Sequence, residues 1–162
     1  MAIKKREVVS SFTVYDSAAE LAAGDAVLLQ KSVSELQHSY SPYSGFKVAA
    51  TVLLANGEVL TGTNQENASY PVCMCAEGTV LGAVSSLYPG VAVLKMAVTV
   101  KSSQQSIAHP VAPCGLCRQR LLEYENRFQQ NIKVIMAGES GEVLVADTVK
   151  DLLPLYFSGS DL

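Results

Sequence analysis

Phe46-Lys47-Val48-Ala49-Ala50-Thr51-Val52-Leu53-Leu54-Ala55-Asn56-Gly57-Glu58-Val59-Leu60-Thr61-Gly62 reads as strand, turn and returning strand. Residues 46–54 are apolar with little alternation, as in a strand buried on both faces. Asn56-Gly57 is a strong two-residue hairpin signal, because both residues tolerate the positive φ that such turns require. Val59 to Gly62 is the expected return strand.

The chain upstream of this hairpin carries one helix. Gly24-Asp25 marks its entry, with Asp25 expected as N-cap. Leu29, Val33, Leu36 and Tyr40 recur at spacings of four, three and four, one apolar stripe. Ser41-Pro42-Tyr43-Ser44-Gly45 breaks it. Residues 7–15 are rich in β-formers and predict an N-terminal strand.

Downstream, residues 64–71 form a polar loop suited to function. Cys75 to about Leu87 is helical, with Val80, Leu81 and Val84 as its apolar face, and Pro89-Gly90 ends it. Val93–Val100 is a strand and Lys101–His109 a polar loop. Pro113 introduces a helix that begins at Cys114 and runs through Leu121 and Leu122. Ile132–Met136 and Val143–Ala146 are strands, and Thr148–Leu153 is a short helix stopped by Pro154. The order predicts an α/β fold: a single layered domain over 1–162, with a mixed β-sheet flanked by helices. Residues 1–16 are expected to be an N-terminal extension containing a strand.

The chain has 162 residues, enough for one domain with a usable core, and is 49% hydrophobic. Its longest apolar stretch, Val48–Ala55, is of strand length, so no membrane partner is expected. The excess apolarity is read as core plus subunit interface. Net charge is −3, and the only basic cluster, Lys4-Lys5-Arg6, lies at one end as a solubilising tail. That balance argues against nucleic-acid binding and favours a small-molecule partner. Glu7, Ser10 and Ser11 interrupt any secretory apolar region. Four cysteines without an export signal fit a reducing compartment, so a cytoplasmic location is expected.

The chemistry concentrates in Cys75-Ala76-Glu77 and Pro113-Cys114-Gly115-Leu116-Cys117. Cys114 and Cys117, three apart, share a face on a first helical turn. Cys75 supplies a third soft ligand, leaving one open corner on a tetrahedral Zn²⁺, the layout of a catalytic metal site. Cys75 and Glu77 are two apart and would face opposite ways inside a helix. Both reach one site only if Cys75 sits at the very start of its helix. Two helix starts aimed at one point would favour thiolates through their free N–H groups and partial positive charge. Zinc with three thiolates carries a net negative charge, and Arg118, beside Cys117, is the expected compensating cation.

Other readings compete. A lone C-x-x-C is often a structural zinc knuckle or a redox pair. Redox chemistry leaves Cys75 and Glu77 unexplained, and a structural site wants a fourth ligand, which Cys73 or His109 could supply. Cys73 also reads as a small buried hydrophobe, His109 as an exposed loop residue.

Together with the surrounding motifs, these residues resemble the cytidine deaminases, specifically the short, homotetrameric, three-cysteine type. The resemblance extends through Tyr40-Ser41-Pro42-Tyr43-Ser44-Gly45-Phe46-Lys47-Val48, Asn64-Gln65-Glu66-Asn67-Ala68-Ser69-Tyr70-Pro71, and Leu152-Leu153-Pro154 with Phe157. It covers roughly residues 25–160. Zinc deaminases hold the metal with three cysteines, or one histidine and two cysteines, and use a non-ligand glutamate.

The resemblance implies deamination of cytidine and 2′-deoxycytidine to uridine and 2′-deoxyuridine for pyrimidine salvage. Cys75, Cys114 and Cys117 would hold Zn²⁺, and Glu77 would pass a proton from the attacking water to ring nitrogen N3. Asn64 and Glu66 would bond the ribose hydroxyl, and Phe46 would stack near the base. The Ala76 backbone would meet the base carbonyl, and the Ala112 carbonyl the leaving amine. Ala68, Tyr70 and Phe157 would reach neighbouring subunits, implying a homotetramer with shared active sites.

Three departures stand out. The family usually has arginine after the catalytic glutamate, where this chain has Gly78. Ala49 replaces a frequent glycine, and Gln65 a common apolar residue. Gly78 motivates an alternative, a zinc deaminase of a modified cytidine or other nucleoside-like substrate. A non-catalytic zinc-stabilised binding module is the alternative from a different class.

Overall fold

The computed structural model describes residues 3–162; Met1 and Ala2 of the expected extension lie outside them. Six strands and four α-helices follow one another as β1 (Thr13–Tyr15), α1 (Ala23–Glu35), β2 (Phe46–Leu54), β3 (Val59–Thr63), α2 (Ala76–Leu87), β4 (Val93–Ser102), α3 (Gly115–Phe128), β5 (Lys133–Ala137), β6 (Val143–Ala146) and α4 (Val149–Leu152). The sheet runs β1-β6-β5-β4-β2-β3. Among the strands of the described residues, only β4 and β5 pair in parallel, and α3 forms the crossover between them. This is the mixed, helix-flanked sheet that the element order predicts.

Side-chain alternation separates the two faces. Val52, Leu54, Met96, Val98, Val134 and Met136 point to the face covered by α2 and α3, where Val80, Leu81, Val84, Leu121 and Leu122 meet them. Leu53, Ala97, Ile135 and Ala137 point the other way, against Leu28 and Leu29 of α1. Each fully buried Leu, Ile or Met contributes about 1.5–3 kcal/mol of apolar burial. The larger cluster lies beneath α2 and α3 and fixes their first turns in place.

Four expectations need correction. The hairpin loop has three residues, 55–57: the Leu54 N–H donates to the Glu58 carbonyl, and Gly57 takes φ 87°. This is the next commonest solution, with glycine in the left-handed position. The N-cap of α1 is Ala22, with no side-chain cap. Asp25 instead lies inside the first turn, buried, with its carboxylate bonded to Lys95 and, at 3.4 Å, to Lys133. Those lysines are direct register partners on β4 and β5, so one buried carboxylate pins α1 across two strands. The inward face of α1 comprises Asp25, Leu28, Leu29 and Ser32, continuing to Leu36, whereas Val33 and Tyr40 are exposed. Finally, the N-terminal strand covers only Thr13–Tyr15, antiparallel to β6.

Candidate active site

The first turns of α2 and α3 meet over one end of the sheet. Cys75 is the N-cap of α2 (φ −70°, ψ 152°) and Cys114 that of α3 (φ −65°, ψ 165°). The extended backbone is that of ordinary N-caps, but each cap position holds a sulfur. Gly62 allows the approach: a Cβ there would sit 2.5 Å from the Val80 nitrogen and 2.7 Å from the Ala76 carbonyl oxygen. With no Cβ on β3, the start of α2 lies directly against that strand.

The sulfurs of Cys75, Cys114 and Cys117 all lie within 4.8 Å of one another, and Cys75 Sγ and Cys114 Sγ are 3.9 Å apart. Cys117 is buried, and Cys75 and Cys114 are open to solvent; no disulfide links them. Burial pushes the Cys75 thiol up, and the charges of Cys114 and Glu77 add to the effect. Burial likewise raises Cys117, reinforced by the Glu77 charge. At Cys114 burial also opposes ionisation, but hydrogen bonding from Cys117, through its N–H and its thiol, prevails and lowers that thiol. The protein alone thus favours one thiolate and opposes the other two. A divalent cation reverses that balance, because a coordinated thiol is deprotonated outright. Three convergent cysteines suit zinc.

Glu77 occupies the second position of α2 and is only 4% exposed. Burial raises its carboxyl above the usual range, partly opposed by its own N–H and the Cys117 thiol. A carboxyl poised toward its protonated form beside a metal site can both take and return a proton.

A cavity of about 370 Å³ opens in front of this cluster. Among the residues named from sequence, Phe46, Asn64, Glu66, Cys75, Ala76, Glu77, Ala112 and Cys114 line it. Cys117 completes the sulfur triangle from behind. Ala68, Tyr70 and Phe157 do not line the cavity and are exposed, Tyr70 at 74% and Phe157 at 58%.

The loop that bears Asn64 and Glu66 is tied at both ends. Gln65 and Met74 exchange backbone hydrogen bonds at 2.9 Å, closing residues 66–73 into a loop. The Tyr40 N–H donates to Asn64 at 3.1 Å, and the Glu66 N–H to Tyr40 at 2.8 Å. The Glu66 carboxylate accepts from the N–H groups of Tyr43 (2.9 Å) and Ser44 (3.2 Å) and from the Ser44 hydroxyl.

Two readings around the cysteine cluster change, those of Cys73 and Arg118. Cys73 is exposed rather than buried, and its sulfur accepts the Asn67 N–H at 3.2 Å. Neither it nor the exposed His109 joins the metal-capable group among the described residues. Arg118 lines neither this cavity nor the smaller one behind the sulfurs. Its guanidinium donates to the carbonyls of Pro113 (2.7 Å) and Leu152 (2.9 Å).

A model of the family described as the cytidine and deoxycytidylate deaminase zinc-binding region matches residues 23–131. The chain belongs to this family. It is 34% identical to the cytidine deaminase of Halalkalibacterium halodurans, over 84% of this chain and 96% of that one. It is 33% identical to the cytidine deaminase of Sporosarcina psychrophila, over 83% and 92%. The crystal structure of the Burkholderia pseudomallei cytidine deaminase superposes with a TM-score of 0.70 at 32% identity, covering 85% of this chain and all of that one. That of Mycobacterium tuberculosis gives 0.63 at 32%, covering 82% and 95%. The domain is accordingly a zinc-binding one, with Cys75, Cys114 and Cys117 the cluster able to hold the ion.

Several wall residues carried no motif. Met74, Val98, Val100 and Val111 supply much of the apolar lining, beside Val48 of the Tyr40–Val48 motif. Strand parity could have found part of this set. Phe46 and Val48 share one face of β2, and Val48 is paired with Val100, Ala50 with Val98.

Proposed function

We propose that this chain is a zinc-dependent hydrolase that deaminates cytidine and 2′-deoxycytidine to the corresponding uridines, releasing ammonia. One observation carries the reading: a buried carboxyl, Glu77, shares a wall with two cysteines of the metal cluster, in a cavity that also presents Asn64 and Glu66. Its volume, about 370 Å³, falls in the usual range for small-molecule sites.

The ion, when bound, supplies the Lewis acidity that makes water a nucleophile near neutral pH. The chain's own residues do the rest. Glu77, held off bulk water, takes a proton from the attacking water, delivers it to N3 and assists departure of ammonia. Phe46 with Val98 and Val100 gives the base an apolar slot. The Ala76 backbone and the Ala112 carbonyl, both in the cavity wall, read the base's carbonyl and amine.

Asn64 and Glu66 suit a sugar hydroxyl for a countable reason. Asn64 Oδ1 accepts from the Val48 N–H and the Ser39 hydroxyl, and Nδ2 gives one hydrogen to the Phe46 carbonyl. A primary amide has two such hydrogens, so one stays available to an acceptor. The Glu66 carboxylate takes three donors from residues 43 and 44 and keeps one of its roughly four acceptor positions for a hydroxyl. Both groups are locked before substrate arrives, which lowers the ordering cost of binding.

A homotetramer with shared active sites completes the reading. Tyr70, Val72, Leu116, Leu155 and Phe157 are exposed apolar side chains suited to partner subunits, with Ala68 in the same loop. Four unpaired cysteines suit a reducing, cytoplasmic setting, and recovery of uridines from cytidines suits a role in pyrimidine salvage. Among the described residues, no helix is long and apolar enough to cross a membrane. The test is an ultraviolet assay on cytidine and 2′-deoxycytidine, with N4-substituted analogues alongside and zinc content measured on the same sample. Protein holding one zinc per chain that turns over neither nucleoside would refute the proposal.

A further inference from the structure

Three thiolates outweigh a divalent ion by one charge even with the Glu77 carboxyl protonated, so the centre calls for a cation. Among the described residues lining the main cavity and a smaller one behind the sulfurs, Arg120 is the sole cationic side chain. The smaller cavity, about 70 Å³, is bounded by Cys75, Gly78, Cys117 and Arg120 among others. Arg120 follows Cys117 by three residues on α3, so the two share a helix face. Arg118, adjacent in sequence, lines neither cavity and spends its guanidinium on the carbonyls of Pro113 and Leu152.

Gly78 makes room for the guanidinium. Arg120 Nη1 donates to the Gly78 carbonyl at 3.2 Å, and a Cβ on Gly78 would stand 2.7 Å from that nitrogen. Position 78 lies buried in the first turn of α2, one residue beyond Glu77. The space beside position 78 is therefore filled, from the opposite helix, by a positive charge.

We infer that Arg120 is the counter-cation of the three-cysteine centre, a positioning residue that α3 delivers across Gly78 to hold the thiolate cluster and its ion together. The inference rests on the zinc site proposed above. It makes Gly78 and Arg120 one unit: a larger residue at 78 displaces the guanidinium, and a shorter residue at 120 leaves the cluster over-negative. Groups that support metal ligands in this way typically change metal affinity by about 10–100-fold.

The test follows zinc transfer from the full-length holoprotein to a chromophoric chelator, beside urea midpoints of zinc-loaded and zinc-stripped protein. Arg120→Ala should release zinc at least about tenfold faster than wild type, by the magnitude just cited. Arg120→Lys should recover much of the retention. The double variant Gly78→Arg with Arg120→Ala should also recover it, since the charge then enters the same space from α2. Stripped Arg120→Ala should match stripped wild type in urea, so that the difference appears only with zinc. Equal release from wild type and Arg120→Ala overturns the inference and leaves the zinc site standing. A matching loss of midpoint with and without zinc overturns it too, by making Arg120 merely structural. Wild-type protein that takes up no zinc overturns the site itself, and this inference with it.

Discussion

Asn64 clamps Val48 from both its backbone and its side chain: the Asn64 N–H donates to the Val48 carbonyl at 3.1 Å, and Asn64 Oδ1 accepts the Val48 N–H at 2.8 Å. The side chain stands in for the next rung of the β2–β3 ladder, where β3 has already ended at Thr63. Its Nδ2 also holds the Phe46 carbonyl at 2.9 Å. Asn64→Ala should therefore lower stability as well as nucleoside affinity. Leaving part-buried backbone groups unpaired costs about 1–3 kcal/mol, which a urea titration measures. Normal stability with a raised KM would confine Asn64 to substrate contact.

The Glu66 carboxylate gives a pH signature. The Ser44 hydroxyl, helped by the Tyr43 and Ser44 N–H groups, holds it below the usual carboxylate range against the opposing effect of burial. A carboxyl depressed in the folded state stabilises fully above its unfolded value, about 4.3, and loses that contribution as pH falls through the folded value. Protection of the Tyr43 and Ser44 amides, taken relative to their intrinsic exchange at each pH, should therefore fall only below about pH 4.3. In Glu66→Gln the same amides should be weakly protected without that pH step. Protection already absent at pH 7 in wild type would remove Glu66 as the tie on this loop.

Glu77→Gln separates chemistry from architecture. Glutamine has nearly the same shape, and burial already biases Glu77 toward its uncharged form, so fold and zinc content should persist. Turnover should fall by at least about 10²–10⁴, the usual worth of a positioned acid–base group. Circular dichroism, metal analysis and the ultraviolet assay on one sample decide it. Undiminished turnover would exclude Glu77 from proton transfer.

The parts of the site that were legible in sequence are those fixed by local geometry. Cys75 and Glu77, two apart, could serve one centre only from a helix start, and Cys75 is the N-cap of α2. The parts that were hidden depend on distant partners. Asp25 resembles an N-cap, yet Lys95 and Lys133, 70 and 108 residues away, draw its carboxylate inward. Arg118 looked closest to the sulfurs because it follows Cys117, but successive helical residues diverge by about 100° and the third residue returns to the same face. That favours Arg120. Asn56-Gly57 announced the hairpin correctly, and only the ladder partner of Leu54 revealed that the loop holds three residues.

Zinc removal should expose how much of the fold depends on the ion. Chelation should abolish turnover and lower the thermal midpoint, because a ligand bound only by the folded state adds about 1.4 kcal/mol per tenfold excess over its Kd. Cys117→Ala should lose this response, since its buried sulfur forms one corner of the triangle. A thermal midpoint in Cys117→Ala that still rises on zinc addition would place the ion elsewhere.

Two glycines, one at the β3–α2 contact and one on the exposed face of α2, make opposite predictions. At Gly62, a methyl group would press on backbone atoms of α2, 2.5 Å from the Val80 nitrogen and 2.7 Å from the Ala76 oxygen. Backbone cannot swing aside as a side chain can, so Gly62→Ala must push α2 away from β3. Overpacking of this kind costs about 1–3 kcal/mol. It also shifts Cys75 and Glu77, where a displacement near 1 Å can cost about 100-fold in rate. At Gly82, on the exposed side of α2, a Cβ would meet nothing within 4 Å. Gly82→Ala should stabilise the helix by about 0.5–1 kcal/mol and leave turnover unchanged. Urea midpoints and kcat for the two variants, measured together, check the claim. Equal behaviour would mean that the β3–α2 approach does not position the catalytic turn.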